Sequence, residues 1–373
     1  MIYLDNAATS YPKPKTVIKA MQDYMLHVGA NYGRGGYKAA TDSIDILFSV
    51  REKIAELINC PYPEQIVFTK NATEALNIAI IGSVQPGSFV ITSPYEHNSV
   101  VRPLMHRKCV IHELPLNSSG SCDVTKLTPE LLKRASLVVI NHSSNISGAV
   151  SDIEYAAKVC RESGTPMLAD ASQSAGILPI DAAKLSCMIA FAGHKGLLGP
   201  QGTGCLYIPK DYSVRPLITG GTGSNSHMLT QPEIMPDKYE SGTLNMPALC
   251  GLLAACEFVE KHFDEIYTYE HFLCSRLIGG LLNIKGINVL CPQDILRTSA
   301  VSFYSENTDT NEFGSMLDGN FNIAVRCGLH CAPAAHKAYG TFESGTVRVS
   351  AGFFNKTSDI DKFLYAVNRI QNT

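Results

Sequence analysis

Charge is scarce in this chain. Only 17% of its 373 residues are Asp, Glu, Lys or Arg, and the formal net charge is -3. No run of Lys and Arg interleaves with aromatic residues, so the footprint of a nucleic-acid-binding surface is missing. Long apolar runs are also missing: those present, such as Ile78 to Ile81, are far too short to cross a bilayer, which predicts no membrane partner. Met1 to Ser10 contains Asp5 and Asn6 and has neither a basic nor an apolar signal region, which argues against a secretory signal. The 12 cysteines include no C-x-x-C pair, a pattern that suits a reducing compartment better than a disulfide framework and predicts a cytoplasmic protein. Neither repeats nor low-complexity segments interrupt the chain. With 45% hydrophobic residues it is long and apolar enough for one large domain and a smaller companion.

Short apolar runs and amphipathic segments alternate through the first two thirds. Strands are expected at Gln65 to Thr69, Ser88 to Thr92, Cys109 to Leu114, Leu137 to Asn141, Pro166 to Asp170, Cys187 to Ala192 and Gly204 to Ile208. Helical patterns between them, at Thr73 to Ile81, Asn98 to His106 and Asp152 to Glu162, are the crossovers a mostly parallel α/β sheet requires. Beyond the Gly/Thr/Ser-rich stretch from Thr219 to Ser226 the pattern changes. Helices are expected from Met246 through Phe263 and from Ile266 to Leu282, then strands at Gly286 to Leu290, Thr298 to Tyr304 and Thr346 to Ser350, and a last helix near Ser358 to Ile370. The expected organisation is an arm (1–15) packed on the smaller domain, a large domain (16–248) and a small C-terminal α/β domain (249–373).

Two of the expected strands end in chemical groups. Pro166 to Asp170 closes on a carboxylate, and Cys187 to Ala192 runs into Gly193-His194-Lys195, 25 residues beyond that carboxylate. Ligands of open α/β sheets bind beyond the carboxyl ends of the strands, so both groups are expected at one crevice. A lysine amine that forms a Schiff base with an aldehyde, and a carboxylate that keeps a pyridinium nitrogen protonated, are what pyridoxal 5'-phosphate (PLP) needs. The turn Lys70-Asn71-Ala72-Thr73-Glu74 lies between a strand and a helix, where backbone N–H groups and a hydroxyl suit a phosphate; Thr73 also reads as a helix N-cap. His97 follows another strand and is a candidate to lie on the pyridine face. Asn145 and Gln173 can donate to a phenolate oxygen, although both types also favour loop turns.

Taken in order, Tyr3-Leu-Asp-Asn-Ala-Ala-Thr9, Asn71-Ala-Thr-Glu74, Glu96-His97, Ser144-Asn145, Asp170-Ala-Ser-Gln173, Gly193-His-Lys195, Glu240-Ser-Gly-Thr-Leu-Asn245 and Arg326-Cys-Gly-Leu-His-Cys-Ala-Pro333 resemble the class V aminotransferase family, in its cysteine desulfurase and selenocysteine lyase branch. The resemblance implies the type I fold of PLP-dependent transferases, a mostly parallel seven-stranded sheet with helices on both faces. It makes Lys195 the Schiff-base lysine, Asp170 the pyridinium partner and His97 the stacking ring, with Asn145 and Gln173 on the phenolate. Ala72, Thr73 and His194 would hold the phosphate, joined by Thr243 of a neighbouring subunit, so a homodimer with shared active sites is implied. Where the family commonly carries serine, this chain has Ala192, leaving one phosphate hydrogen bond for Ser172 or Thr203 to replace.

Cys331 selects among reactions. In a desulfurase a protein thiolate attacks the sulfur of L-cysteine, giving L-alanine and a persulfide that passes to an acceptor protein; Arg326 and His330 are neighbours expected to favour that thiolate. Arg348, a lone charge in the strand-like Thr346 to Ser350, matches the family's substrate-carboxylate arginine, a role its planar fork suits. Arg326 and Asn145 are further substrate-binding candidates. Cys327 reads as a packing residue, and Cys327, Cys331, His330 and His336 are too crowded for good zinc geometry, so no metal is expected. The short segment after Arg326 resembles the slower desulfurases that use a dedicated sulfur acceptor, although Leu329 replaces the first histidine of their His-His-Cys. Selenocysteine lyase, an aminotransferase or β-lyase acting on another amino acid, and an inactive scaffold remain as alternatives. The stretch Asn31 to Tyr37 offers Arg34 and Tyr37 to the substrate pocket.

Overall fold

Every apolar run expected between Gln65 and Ile208 forms a strand in the computed structural model, which describes residues 1–33, 35–224 and 227–372. In chain order the first part holds β1 (Ile2–Tyr3), α1 (Lys15–His27), α2 (Lys38–Leu57), β2 (Ile66–Thr69), α3 (Ala72–Ser83), β3 (Phe89–Thr92), α4 (Asn98–His106) and β4 (Val110–Glu113). Then come α5 (Pro129–Arg134), β5 (Leu137–Asn141), α6 (Ile153–Glu162), β6 (Met167–Asp170), α7 (Ala182–Leu185), β7 (Met188–Ala192) and β8 (Gly204–Tyr207). The remainder is α8 (Met246–Lys261), α9 (Phe263–Leu282), β9 (Ile287–Val289), β10 (Ala300–Ser305), α10 (Thr310–Phe321), β11 (Ile323–Ala324), β12 (Arg326–Gly328), α11 (Pro333–Ala338), β13 (Thr346–Ser350) and α12 (Thr357–Gln371).

A seven-stranded sheet has the order β2-β8-β7-β6-β5-β3-β4, in which β8 alone runs against its neighbours. Its strands, apart from the partly exposed edge strand β4, are buried on both faces, and their alternating side chains divide between two cores. Phe68, Ile91, Ile140, Ala169, Ile189 and Phe191 pack with α2 and α8, whereas Val67, Val90, Val139, Leu168, Met188 and Leu206 pack with α3 and α4. The result is an α/β/α sandwich whose parallel strands end along one edge.

A second sheet, β12-β13-β10-β9, is antiparallel throughout and packs against α9, α10 and α12 around Phe303, Phe313 and Phe363. The N-terminal arm reaches it: β1 pairs with β11, and Asp5 bridges to Ser350 at the end of β13. Sequence periodicity missed α1 and α2. On α1, Ile18, Met25 and Leu26 are exposed while Val17 and Tyr24 are buried, so the apolar residues do not keep to one stripe.

Candidate active site

Five strands deliver their C-terminal ends to one cleft. The ends of β2, β3, β5, β6 and β7 and the turns that follow carry Thr73, His97, Asn145, Asp170 with Gln173, and His194 with Lys195, all of which line one cleft of about 80 Å³. This is the crevice at strand carboxyl ends that the sequence pattern predicts.

Asp170 is buried, and that burial pushes its carboxyl up; Oδ1 accepts the N–H of Ser172 at 2.9 Å and the Ser172 hydroxyl, which pull it back toward the ionised form. Lys195 is half-buried, and the loss of water around it lowers its ammonium to about 8 while Asp170 opposes the shift. Among the described residues the two groups feel each other's charge but form no ion pair, so both remain open to the cavity. A lysine so tuned is easily deprotonated near neutrality.

His97 caps α4: its Nδ1 accepts the N–H of Ser99 at 3.1 Å and lies 2.9 Å from the Ser99 hydroxyl. Burial first, then the Lys195 charge, hold the imidazole down at about 4, so at neutral pH it is uncharged with its proton on Nε2. Ser99 also lies 2.7 Å from Thr73 Oγ1, giving a pair of hydroxyls beside the opening turn of α3. Asn71, not Thr73, caps that helix, its side chain accepting the N–H of Glu74 at 2.9 Å. Thr73 is thereby left in the first turn, where the N–H groups of Ala72 and Thr73 lack intrahelical acceptors.

The lower wall couples the cleft to distant segments. Asn145 Nδ2 donates to the His330 carbonyl at 2.9 Å, and its Oδ1 is buried without a partner among the described residues. Gln173 Nε2 donates to the Ala7 carbonyl at 3.0 Å. The His194 carbonyl accepts from Thr9 Oγ1, the Ser10 N–H and hydroxyl, and Lys13 Nζ, while its Nδ1 is buried and unpaired. Of the replacements considered for the serine absent at Ala192, Ser172 spends its hydroxyl on Asp170 and Thr203 donates to the Pro200 carbonyl at 2.7 Å. Ser99 is the hydroxyl the sequence reading overlooked; its position two residues into the helix opened by His97 was the available signal.

Cys331 stands exposed on the loop after β12, with Arg326 Nη2 at 3.5 Å from its Sγ. Both His330 and Cys331 adopt left-handed backbone conformations, φ 48° and 59°, which cost energy in non-glycine residues. The turn is fastened by the Asn98 N–H on the Cys331 carbonyl and by Asn145 on the His330 carbonyl. His330 does not serve the thiolate as expected. Its ring is buried against Thr346, and burial with the nearby Arg348 charge drives it down to about 2, so it carries no charge at working pH. Arg326 is the cation at the sulfur.

Arg326 and Arg348 face each other across the β12–β13 pair. Arg348 is fully buried and ion-paired with Asp5 at 2.7 Å. Thr243 lines an adjoining cleft that meets the first at Asn71 and His194. Arg34 lies outside the described residues, and Tyr37 is exposed at the start of α2.

The model of the family described as aminotransferase class-V matches residues 2–363. The chain belongs to that family. Among curated relatives of the family, a probable cysteine desulfurase of Pyrococcus abyssi is 34% identical over 98% of this chain and 92% of its own length. A cysteine desulfurase of Cronobacter sakazakii is 28% identical over 99% and 93%. Among solved structures, the apo form of a cysteine desulfurase from Thermococcus onnurineus matches with a TM-score of 0.91 and 30% identity, covering 100% of this chain and 94% of that one.

Proposed function

We propose that this class V family member is a PLP-dependent cysteine desulfurase, converting L-cysteine to L-alanine and leaving the sulfur as a persulfide on Cys331. The observation that carries the reading is an exposed cysteine beside a guanidinium, on a loop hydrogen-bonded to the wall of a cleft that holds Lys195, Asp170 and His97.

The residues present fit PLP. Buried atoms on Asn145 and His194 without a partner among the described residues, the open first turn of α3 with the Thr73 and Ser99 hydroxyls, and a buried carboxylate with no ion pair among those residues suit a polar ligand. Ala72, Thr73 and His194 would hold the phosphate, Asp170 the pyridinium, Asn145 and Gln173 the phenolate, and His97 the ring face. When bound, PLP supplies a carbonyl for the substrate amine and a sink for the electrons released at Cα.

Arg348 grips the α-carboxylate and Arg326 faces it across the strand pair. The Lys195 amine, neutral in part because burial lowers it, takes the α-proton. Arg326 favours the Cys331 thiolate, which attacks the substrate sulfur. The new S–S bond forms as the Cβ–S bond breaks, its electron pair staying on Cβ, which a proton then completes to the methyl group of alanine. L-cysteine and one thiol thus yield L-alanine and one persulfide with no external oxidant. Thr243, on the neighbouring cleft, completes the phosphate site of a partner subunit in a cytoplasmic homodimer, and an acceptor protein removes the persulfide sulfur at the exposed loop.

The test is alanine release from L-cysteine and from L-selenocysteine by PLP-loaded protein, with Cys331→Ala beside the parent and a reductant present. The variant is expected to lose the cysteine reaction while retaining its cofactor absorbance. Equal turnover of L-cysteine by both proteins would sink the desulfurase reading, and reaction with L-selenocysteine alone would establish a lyase.

A further inference from the structure

Arg348 is 1% exposed, and a guanidinium so deep requires partners on its hydrogen-bonding edges. Nη2 donates to Asp5 Oδ1 at 2.7 Å and Nη1 to the Asn145 carbonyl at 3.1 Å, while Nε has no partner among the described residues. With Arg326 directly opposite on β12, two guanidinium groups share this end of the sheet, and the carboxylate paired with Arg348 is that of Asp5.

The backbone of Asp5 is fixed. The Leu4 N–H donates to the Ala324 carbonyl at 2.9 Å, the Ser350 N–H to the Leu4 carbonyl at 2.8 Å, and the Asn6 N–H to the Ser350 carbonyl at 3.2 Å. That register sets Asp5 beside Ser350, two residues along β13 from Arg348 and so over the same face. The side chain is freer, at 21% exposed against 2% for Arg348. Rotation about χ1 therefore moves the carboxylate off Arg348 without disturbing the arm.

Resting on the reading that Arg348 receives the substrate α-carboxylate, we propose that Asp5 is a built-in carboxylate that occupies Arg348 between turnovers and competes there with the α-carboxylate of substrate and product. The product L-alanine carries the same α-amino and α-carboxylate groups as L-cysteine. An unopposed buried arginine would hold both alike, which lowers KM without helping the chemical step and delays product departure. A resident anion lessens that uniform grip and re-pairs the arginine as alanine leaves.

The experiment is equilibrium binding of L-alanine to the PLP-loaded protein, with ethylamine as a carboxylate-free control. Removing the competing charge in Asp5→Asn should tighten L-alanine about tenfold, the scale of one charged hydrogen bond. Asp5→Ser should act in the same direction, Asp5→Glu should stay within about twofold of the parent because it keeps the charge, and ethylamine should bind all of them equally. A structural role alone would weaken alanine binding, so unchanged or weaker binding in Asp5→Asn and Asp5→Ser overturns the proposal, as does failure of both to fold. Arg348→Lys separates the two readings. If it leaves alanine affinity intact, the assignment of Arg348 to the carboxylate is wrong. If it weakens alanine while the Asp5 variants do not tighten it, only the role of Asp5 falls.

Discussion

Glu96 shows how far one residue in this fold departs from its ordinary state. It is buried beside the catalytic cleft, Oε1 accepts from Ser93 Oγ and the Asn141 N–H, and Oε2 has no partner. Burial, with the Asp170 charge adding to it, pushes the carboxyl up to about 8. A folded value raised above the unfolded 4.5 means stability that is fully present below pH 4.5 and lost as pH rises through 8. Glu96→Gln, which copies the neutral form, should therefore stay within about 1 kcal/mol of the parent at pH 4.5 and gain on it steadily as pH rises toward 8; urea midpoints at pH 4.5 and 8.5 check it. At the proposed nucleophile, Arg326→Ala should slow alkylation of Cys331 by roughly three- to tenfold near neutrality, because it removes the guanidinium 3.5 Å from the sulfur. Of the 12 cysteines Cys331 is the exposed one, so mass spectrometry of the alkylated peptide reads the rate directly.

Helix α3 is the element on which the proposed phosphate end of the site depends. Its opening is set by the Asn71 cap and by the approach of β8, where a Cβ on Gly204 would strike the Asn71 backbone. Asn71→Ala should cost about 1 kcal/mol of stability and weaken PLP retention, whereas Asn71→Asp keeps an acceptor for the Glu74 N–H and should preserve the fold. Denaturant midpoints and dialysis of the holoprotein measure the two effects. Turn chemistry made α3 easy to anticipate: a strand of β-branched and aromatic residues gives way to Asn-Ala-Thr-Glu. The choice of Asn71 over Thr73 as cap was not legible, because either residue satisfies the local pattern and the packing of β8 decides between them.

Over the whole molecule, buried histidines dominate the response to acid. His97, His142, His194 and His336 are held at about 4 and His330 at about 2, each primarily by burial, against 6.5 when unfolded. Depressed folded values mean that their stabilising contribution is present above pH 6.5 and lost as pH falls toward 4. Glu96 and Glu270, both raised to about 8, act in the opposite sense between pH 4.5 and 8, and Asp170 joins them. Five histidines against these carboxyls leave net proton uptake on unfolding between pH 6.5 and 4.5. The urea midpoint should therefore fall steeply from pH 6.5 to 5 and little from 8 to 7. A flat profile over the acid interval would show the histidines to be solvated.

Short-range pattern was enough for the sheet strands, the crossover helices and the groups at their ends, because a buried parallel strand is a run of apolar residues and its C-terminal turn is where polar chemistry can begin. Lys195 and Asp170 were legible for that reason. Contacts between residues far apart in sequence were not. Asp5 meets Arg348 across 343 residues, and Gln173 meets Ala7 across 166. His330, expected beside the thiolate as a charge, turns inward to Thr346 because a left-handed backbone at two successive residues sends its ring to the core and Cys331 to solvent. Which way a loop side chain points depends on what the rest of the chain packs against it, and only the assembled structure decides that.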